Sequence, residues 1–413
     1  MSSGSFICRS CRHALRQLPS TQSQQLRSFS SSRQNAKSLA TFAPTSSPEL
    51  DTILSSWRRD VFLPSVLSKH HKDLIYKKSR HDLLTQAPGV TVTVRTLPPP
   101  STQDTIEPEE DIKLEPANPF DQPGKTSFKK IVQALENDSS PAAWDNIIPF
   151  LEGIRTAKLA YPSLFVTQLA RKANIQGKER WKTIILAAQL GKRTRVTLAS
   201  TELTTELVVG AFYRAMEQQF KTSEPRNTMQ QILLMLDSED HCGGNIEALD
   251  AVGTKDVFTD MRQDPIVIAA KLAFSSAKAL NLQKGKDVDG AVASDVQKLL
   301  ALAEKIPHSL GSSASLRRFG GPKQEFAIIG TQNLELQDLS IVYGALALAD
   351  KVDFMPSLGR ENNIKVSSQI QAELRRLQER IAVVKKEVET NAKGARRRSL
   401  QVLQAVEAAI KKM

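Results

Sequence analysis

Aromatic side chains make up only 5% of this 413-residue chain, and it has only three cysteines. A four-ligand zinc site needs three or four Cys or His residues at defined spacings. Cys8 and Cys11 form the only C-x-x-C pair, and no second pair follows downstream. Nucleotide and hydrolase signatures are also missing. Gly191-Lys192 comes nearest to a phosphate-binding loop, but Leu186 stands where its first glycine belongs. The segment "DSEDHCGGN" gathers Asp237, Glu239, Asp240, His241 and Cys242. One irregular cluster in a Gly-containing loop reads as a solvated turn rather than a metal site. His308, after Pro307, reads as a helix-end cap. No catalytic residue, metal, cofactor or small-molecule substrate is predicted, and the expectation is a protein that is not an enzyme. No apolar stretch approaches the length of a membrane span, so none is expected.

Acidic residues are absent before Glu49. Over the same stretch Arg9, Arg12, Arg16, Arg27, Arg33 and Lys37 are spread through a Ser-rich background. That composition predicts a mitochondrial transit peptide, and hence the matrix. Arg27-Ser28-Phe29-Ser30 has the form of a matrix processing site. Residues 1–29 are the expected transit peptide, and cleavage after Phe29 removes Cys8 and Cys11. Cys242 then remains alone, so disulfides have no part in the mature fold. The start "FICRSCRHALR…RSFSSS" resembles the N-termini of fungal mitochondrial proteins, especially fungal mitochondrial ribosomal proteins. The resemblance covers about thirty residues. It implies import; mitochondrial rRNA and other mitochondrial ribosomal proteins are the partners expected from this address together with the basic arm and basic patches that follow.

The excess of positive charge outlasts the presequence. Losing its four arginines lowers the formal charge from +12 to +8. A pI near 9.5 implies attraction to polyanions. Residues 30–50 are Ser/Thr/Pro-rich and are expected to be disordered. Residues 51–97 read as an extended basic arm with two short helices broken around Pro64 and one strand. Within 58–81, Arg58, Arg59, Lys69, Lys72, Lys77, Lys78 and Arg80 face only Asp60 and Asp73. Trp57, Phe62 and Tyr76 are interleaved with them, which suits phosphate pairing and base stacking. The alternative is that these aromatics pack inward. "GVTVTVRTL" alternates as a strand does, isolated before Pro98-Pro99-Pro100. Residues 98–125 are Pro-rich and acidic, and they read as an extended linker and the main domain boundary.

From residue 126 the pattern turns helical. Residues 126–310 read as an irregular α-helical array or solenoid-like body, 311–363 as a loop and helix, and 364–413 as a C-terminal helical hairpin. The predicted fold class is therefore all-α. No repeat of tetratricopeptide type is visible. Within the array Arg171, Lys172, Lys178, Arg180, Lys182, Lys192, Arg193 and Arg195 oppose only Glu179. The helix dipole gives Lys192 and Arg193 a structural role of only about 0.3–1 kcal/mol. A polyanion partner explains the cluster better. Ile370, Leu374, Leu377, Ile381, Val384 and Val388 form a heptad seam. A second helix bearing Leu400, Leu403, Val406 and Ile410 offers it a partner, and another protein is the alternative. Arg396, Arg397 and Arg398 fall at the turn of this hairpin.

These features predict a structural, RNA-contacting protein of the mitochondrial ribosome, with a lean towards the large subunit. The competing reading is a helical-repeat factor for mitochondrial mRNA expression or respiratory-complex assembly. That reading requires a regular repeat, which the sequence lacks.

Overall fold

A computed structural model describes residues 38–98, 108–120, 123–124, 126–138, 140–162, 164–176, 178–238, 241, 260–305, 325–391 and 398–413. It divides into an N-terminal unit ending at Ala160 and a C-terminal unit beginning at Tyr161. The expected boundary at 98–125 is therefore displaced: part of that acidic stretch is built into the first unit. Most described residues are helical, with one small sheet, so the all-α array holds.

In the N-terminal unit the strand predicted near residues 89–97 is β2 (Thr91–Leu97). It has a partner on each side. β1 (Leu39–Ala40) pairs with it in parallel, and β3 (Glu109–Lys113) pairs antiparallel, setting Thr91 opposite Lys113 and Arg95 opposite Glu109. Charge composition concealed β3. Its carboxylates are matched by Arg95 (3.8 Å from Glu109) and Arg58 (2.6 Å from Glu110). The next residue, Leu114, is 1% exposed. The expected disorder across 30–50 also fails from Leu39 onward, because Leu39, Ala40 and Leu50 are buried. The Asn146 side chain extends the backbone pairing there. Its Oδ1 accepts from Ala43 N–H, and its Nδ2 donates to the Ala43 carbonyl, both at 2.8 Å.

Helix α1 (Pro48–Trp57) starts at Ser47, whose hydroxyl accepts from Leu50 N–H, with Pro48 in the first turn. It runs through a π-helical turn (Arg58–Phe62) into α2 (Leu63–Val66). Pro64 does not break this segment, contrary to expectation. Leu63 N–H bonds five residues back to Arg58, and this widened turn gives the proline ring room. The break comes at Leu67, before Ser68 caps α3 (Lys69–Tyr76). α4 (His81–Thr85) follows. Leu67, Leu74, Ile75, Leu84 and Leu114 form a small cluster there. α5 (Thr126–Asn137), α6 (Pro141–Asp145) and α7 (Ile147–Thr156) complete the unit. Its core is aromatic. Trp57, Phe62, Phe128 and Phe150 meet mostly edge to face, for example 5.3 Å between the Trp57 and Phe150 rings. Gly153 lets the Phe62 ring approach, since a Cβ there would lie 2.8 Å from it.

The C-terminal unit comprises α8 (Leu164–Gln176), α9 (Lys178–Gln189), α10 (Gly191–Thr194), α11 (Thr201–Glu217), α12 (Glu224–Leu236), α13 (Pro265–Leu282), α14 (Ala291–Lys305), α15 (Glu325–Ala349), α16 (Met355–Asn391) and α17 (Arg398–Lys412). α11 packs against α8, α12, α13 and α17, and α15 packs against α13, α16 and α17. α15 is apolar around its circumference, as an enclosed helix must be. Leu336, Leu339, Ile341, Val342, Ala345, Leu346 and Leu348 are all buried. α13 spans 18 residues and is apolar enough to cross a membrane, contrary to expectation. It is mainly buried among its neighbouring helices, as a core helix is. The C-terminal helices do not form a hairpin with seams face to face. α16 and α17 each pack on α15 instead.

Candidate nucleic-acid interface

The cations predicted to contact nucleic acid differ in burial and in the carboxylates beside them. In the N-terminal unit, Arg58 donates to Glu110 (2.6 Å), Arg59 to Asp60 (2.7 Å), and Lys77 pairs with Asp73 (3.2 Å). Lys69 and Lys78 are exposed, while Lys72 and Arg80 are half-buried. The expected base-stacking aromatics are not on offer. Trp57 and Phe62 are 2% and 1% exposed, and Tyr76 packs against the small aliphatic cluster. Trp57 also donates its indole N–H to Ser127 (3.1 Å). The physical reason is burial: large rings stabilise a small core more than they stabilise a solvated surface. Burial, and then the neighbouring His70, hold the His71 pKa below its usual value.

In the C-terminal unit, two of the predicted contacts are structural. Glu206 on α11 is 1% exposed. Its Oε1 accepts from Arg171 Nε (3.1 Å) and Nη2 (3.0 Å), and its Oε2 accepts from Arg398 Nη1. A buried carboxylate requires such pairing. Arg171 and Arg398 thus tie α8 and α17 to α11. Asn174 donates to the Glu206 carbonyl (2.9 Å). One helical turn on, Gly210 admits Asn174 and Trp181; a Cβ there would lie 2.0 Å from the Asn174 oxygen. Arg214 lies 4.7 Å from the centre of the Trp181 ring. Burial pulls its pKa down to about 10, against the carboxylates of Glu224 and Glu217. Sequence reading missed Glu206. The signal was present: the second of two acids in "TELTTELVVGAF", among residues destined for the core.

The outward set is Lys182, Lys192, Arg193 and Arg195, with Lys172 and Arg180 half-buried. The backbone after α9 gathers three of them. α10 is a single turn ended by Arg195, whose φ of 61° is left-handed. Tyr161 donates its hydroxyl hydrogen to the Arg195 carbonyl (2.8 Å). His241 Nδ1 accepts from Leu198 N–H (3.1 Å). Lys192, Arg193 and Arg195 therefore stand on a pinned turn. His241 is 4% exposed, so it is a buried strut and not part of a solvated turn. Asp237 pairs with Arg262 (3.2 Å). No group of three metal-ligating residues occurs among the described residues. The side chain of Lys178, and Glu239, Asp240, Cys242, His308, Arg396 and Arg397, lie outside the described residues.

The heptad seam is an internal packing face. Ile370, Leu377, Ile381, Val384 and Val388 are buried. Leu374 is half-buried. Their element packs on α15 within the chain.

The described residues thus form a basic, mostly helical chain with a cluster of exposed cations on a pinned turn. The family follows from comparison with known proteins. A family model described as mitochondrial ribosomal protein mS27 matches residues 27–405, and the chain belongs to that family. A relative in Neurospora crassa, the small ribosomal subunit protein mS27, is 26% identical over 309 residues, covering 72% of each chain. The ribosomal expectation is met at this level. The lean towards the large subunit is not, because the relative's name assigns it to the small subunit.

Proposed function

We propose that the protein is a structural component of the small subunit of the mitochondrial ribosome. It works in the matrix, residues 1–29 serving as its import segment, and it contacts rRNA and neighbouring ribosomal proteins. The observation that carries this reading is the match to the mS27 family over 27–405, almost the whole chain beyond that import segment. The rRNA contact centres on Lys182, Lys192, Arg193 and Arg195. Their side chains are exposed, and three of them share one turn of backbone. Tyr161, the aromatic held on this turn, is half-buried, so the cations bind phosphates and helix shape, not bases.

The test is sedimentation of a mitochondrial lysate over a series of salt concentrations. The wild-type chain is expected to travel with the small subunit at moderate salt. Lys192→Glu, Arg193→Glu and Arg195→Glu together should release it at lower salt. The salt dependence of binding should become shallower, by about two to three units of log–log slope. Slow migration of the wild-type chain at low mass removes the ribosomal reading. An unchanged slope in the triple variant removes the pinned turn as an rRNA contact.

A further inference from the structure

At one end of the C-terminal unit two connections are fastened together. Asp353 N–H donates to the Gly285 carbonyl (2.8 Å), and Asp287 N–H donates to the Asp353 carbonyl (3.0 Å). These bonds bridge the α13–α14 loop to the α15–α16 turn. The Asp287 carboxylate is fully buried. It accepts from Val292 N–H (3.3 Å) and Ala293 N–H (2.9 Å), capping α14, and from the Ser357 hydroxyl (3.1 Å). Asn363 donates to Asp353 Oδ1 (3.4 Å), drawing the next turns of α16 to the same hub. At Gly359 the chain turns through φ +76° before α16 resumes its helical path.

The surface built on this hub is apolar where a solvated end has no need to be. Leu282, Val288, Met355 and Ile364 are 65%, 66%, 50% and 64% exposed. Their backbones are held by the bonds above or lie within a turn of them, so the side chains cannot retreat by local collapse. Exposed aliphatics held on a fixed framework mark an interaction surface. Lys284, Lys286, Lys351, Arg360 and Lys365 are exposed around them. The carboxylates of the same segments are mostly turned elsewhere. Asp287 and Asp353 cap backbone N–H groups, and Asp289 bonds Lys278 (2.7 Å). Asp350 and Glu361 remain to oppose the five cations.

We propose that this surface docks an acidic, aliphatic-studded segment of a neighbouring protein in the same particle. The proposal rests on the ribosomal reading above. A protein fits the surface better than RNA does. Unpaired bases seek aromatic faces to stack on, whereas Leu, Val, Met and Ile offer close packing to another side chain. The cations around them then choose a partner of negative charge.

Site-specific photocrosslinking with benzoylphenylalanine at Val288 or at Ile364, in the full chain expressed in mitochondria, tests this. Both positions are exposed, so the substituted chains should melt with the wild type. The expected product is a ribonuclease-resistant adduct to one small-subunit protein, its crosslinked peptide rich in Asp and Glu. Lys286→Glu with Lys365→Glu should weaken that adduct at least about tenfold. Adducts sensitive to ribonuclease, adducts to lipid, or no adduct while the chain still travels with the small subunit would each overturn the docking proposal. Failure of the unsubstituted chain to travel with the subunit would instead remove the ribosomal reading beneath it.

Discussion

The two units reach a fixed structure by different means. The N-terminal unit fills its centre with rings and lets charges settle at the rim. Trp57, Phe62, Phe128 and Phe150 pack together, while Arg58 and Arg59 find carboxylates at the surface. The C-terminal unit encloses an aliphatic helix, α15, and then buries a charge: Glu206, clasped by two arginines from separate helices. Apolar burial is tolerant of angle, so the first design needs only shape and area. A buried ion group is demanding. It strengthens the fold only when every partner is present, and it therefore specifies which helices meet. Cationic side chains serve as rim in one unit and as mortar in the other.

The largest expected effect breaks the first design. Trp57→Ala removes a ring that touches Phe62, Phe128 and Phe150, and it leaves Ser127 without its indole donor. The loss should be about 3–5 kcal/mol. Hydrogen exchange followed by mass spectrometry reads where it falls. Amides of α1, α5 and α7 should lose protection, while those of α11 and α15 keep theirs. Equal loss in both sets would show that the aromatic core is not private to its unit.

The second effect is somewhat smaller and sharpens the contrast. Glu206→Ala strands Arg171 and Arg398 beside an apolar helix face. Both arginines reach solvent in part, so the cost should be about 3 kcal/mol, at the low end for a broken buried pair. It should appear first as exchange at the start of α17 and the C-terminal half of α8. Glu206→Gln keeps the shape but loses the charge and one of the two acceptor oxygens, setting an NH2 group against one arginine, and it should recover only part of the stability. Full recovery with Gln would make the site an ordinary hydrogen-bond hub and not an ion clasp.

The same contrast explains what could be read from sequence. Helical periodicity and cap signals are local, and they were legible: Ser140 before Pro141 starts α6 as its spacing implies. The seam from Ile370 to Val388 was legible as an apolar stripe, because spacing alone defines a stripe. Its partner was not. Nothing within 364–413 reveals that α15 intervenes. β3 was hidden because "EEDIK" reads as a charged run until Arg58 and Arg95 stand opposite it. The cations were legible as a set but not by role. Arg171 and Arg193 look alike in a list of charges, and only tertiary structure puts Glu206 beside the first. Trp57 likewise looked like a stacking ring because the aromatics it packs against, Phe128 and Phe150, lie far along the chain.

The smallest effect concerns the turn that presents Lys192, Arg193 and Arg195, and it is set by pH. Tyr161 is half-buried, and its hydroxyl donates to the Arg195 carbonyl. Burial pushes its pKa up to about 12, outweighing the nearby Arg195 charge, which pulls the other way. The folded chain thus retains this proton in a range where the unfolded chain has released it. Between about pH 10 and pH 12 the unfolded state binds fewer protons, so stability falls as pH rises. Below pH 10 the contribution is fully present. A phenolate would also have no hydrogen to give Arg195, and the left-handed turn would lose its tether. Tyr161→Phe should remove this part of the alkaline slope and loosen the turn slightly at neutral pH, which hydrogen exchange at 191–198 would register. An unchanged alkaline slope in Tyr161→Phe would mean that the cations stand on a turn fixed by its own backbone and by His241 alone.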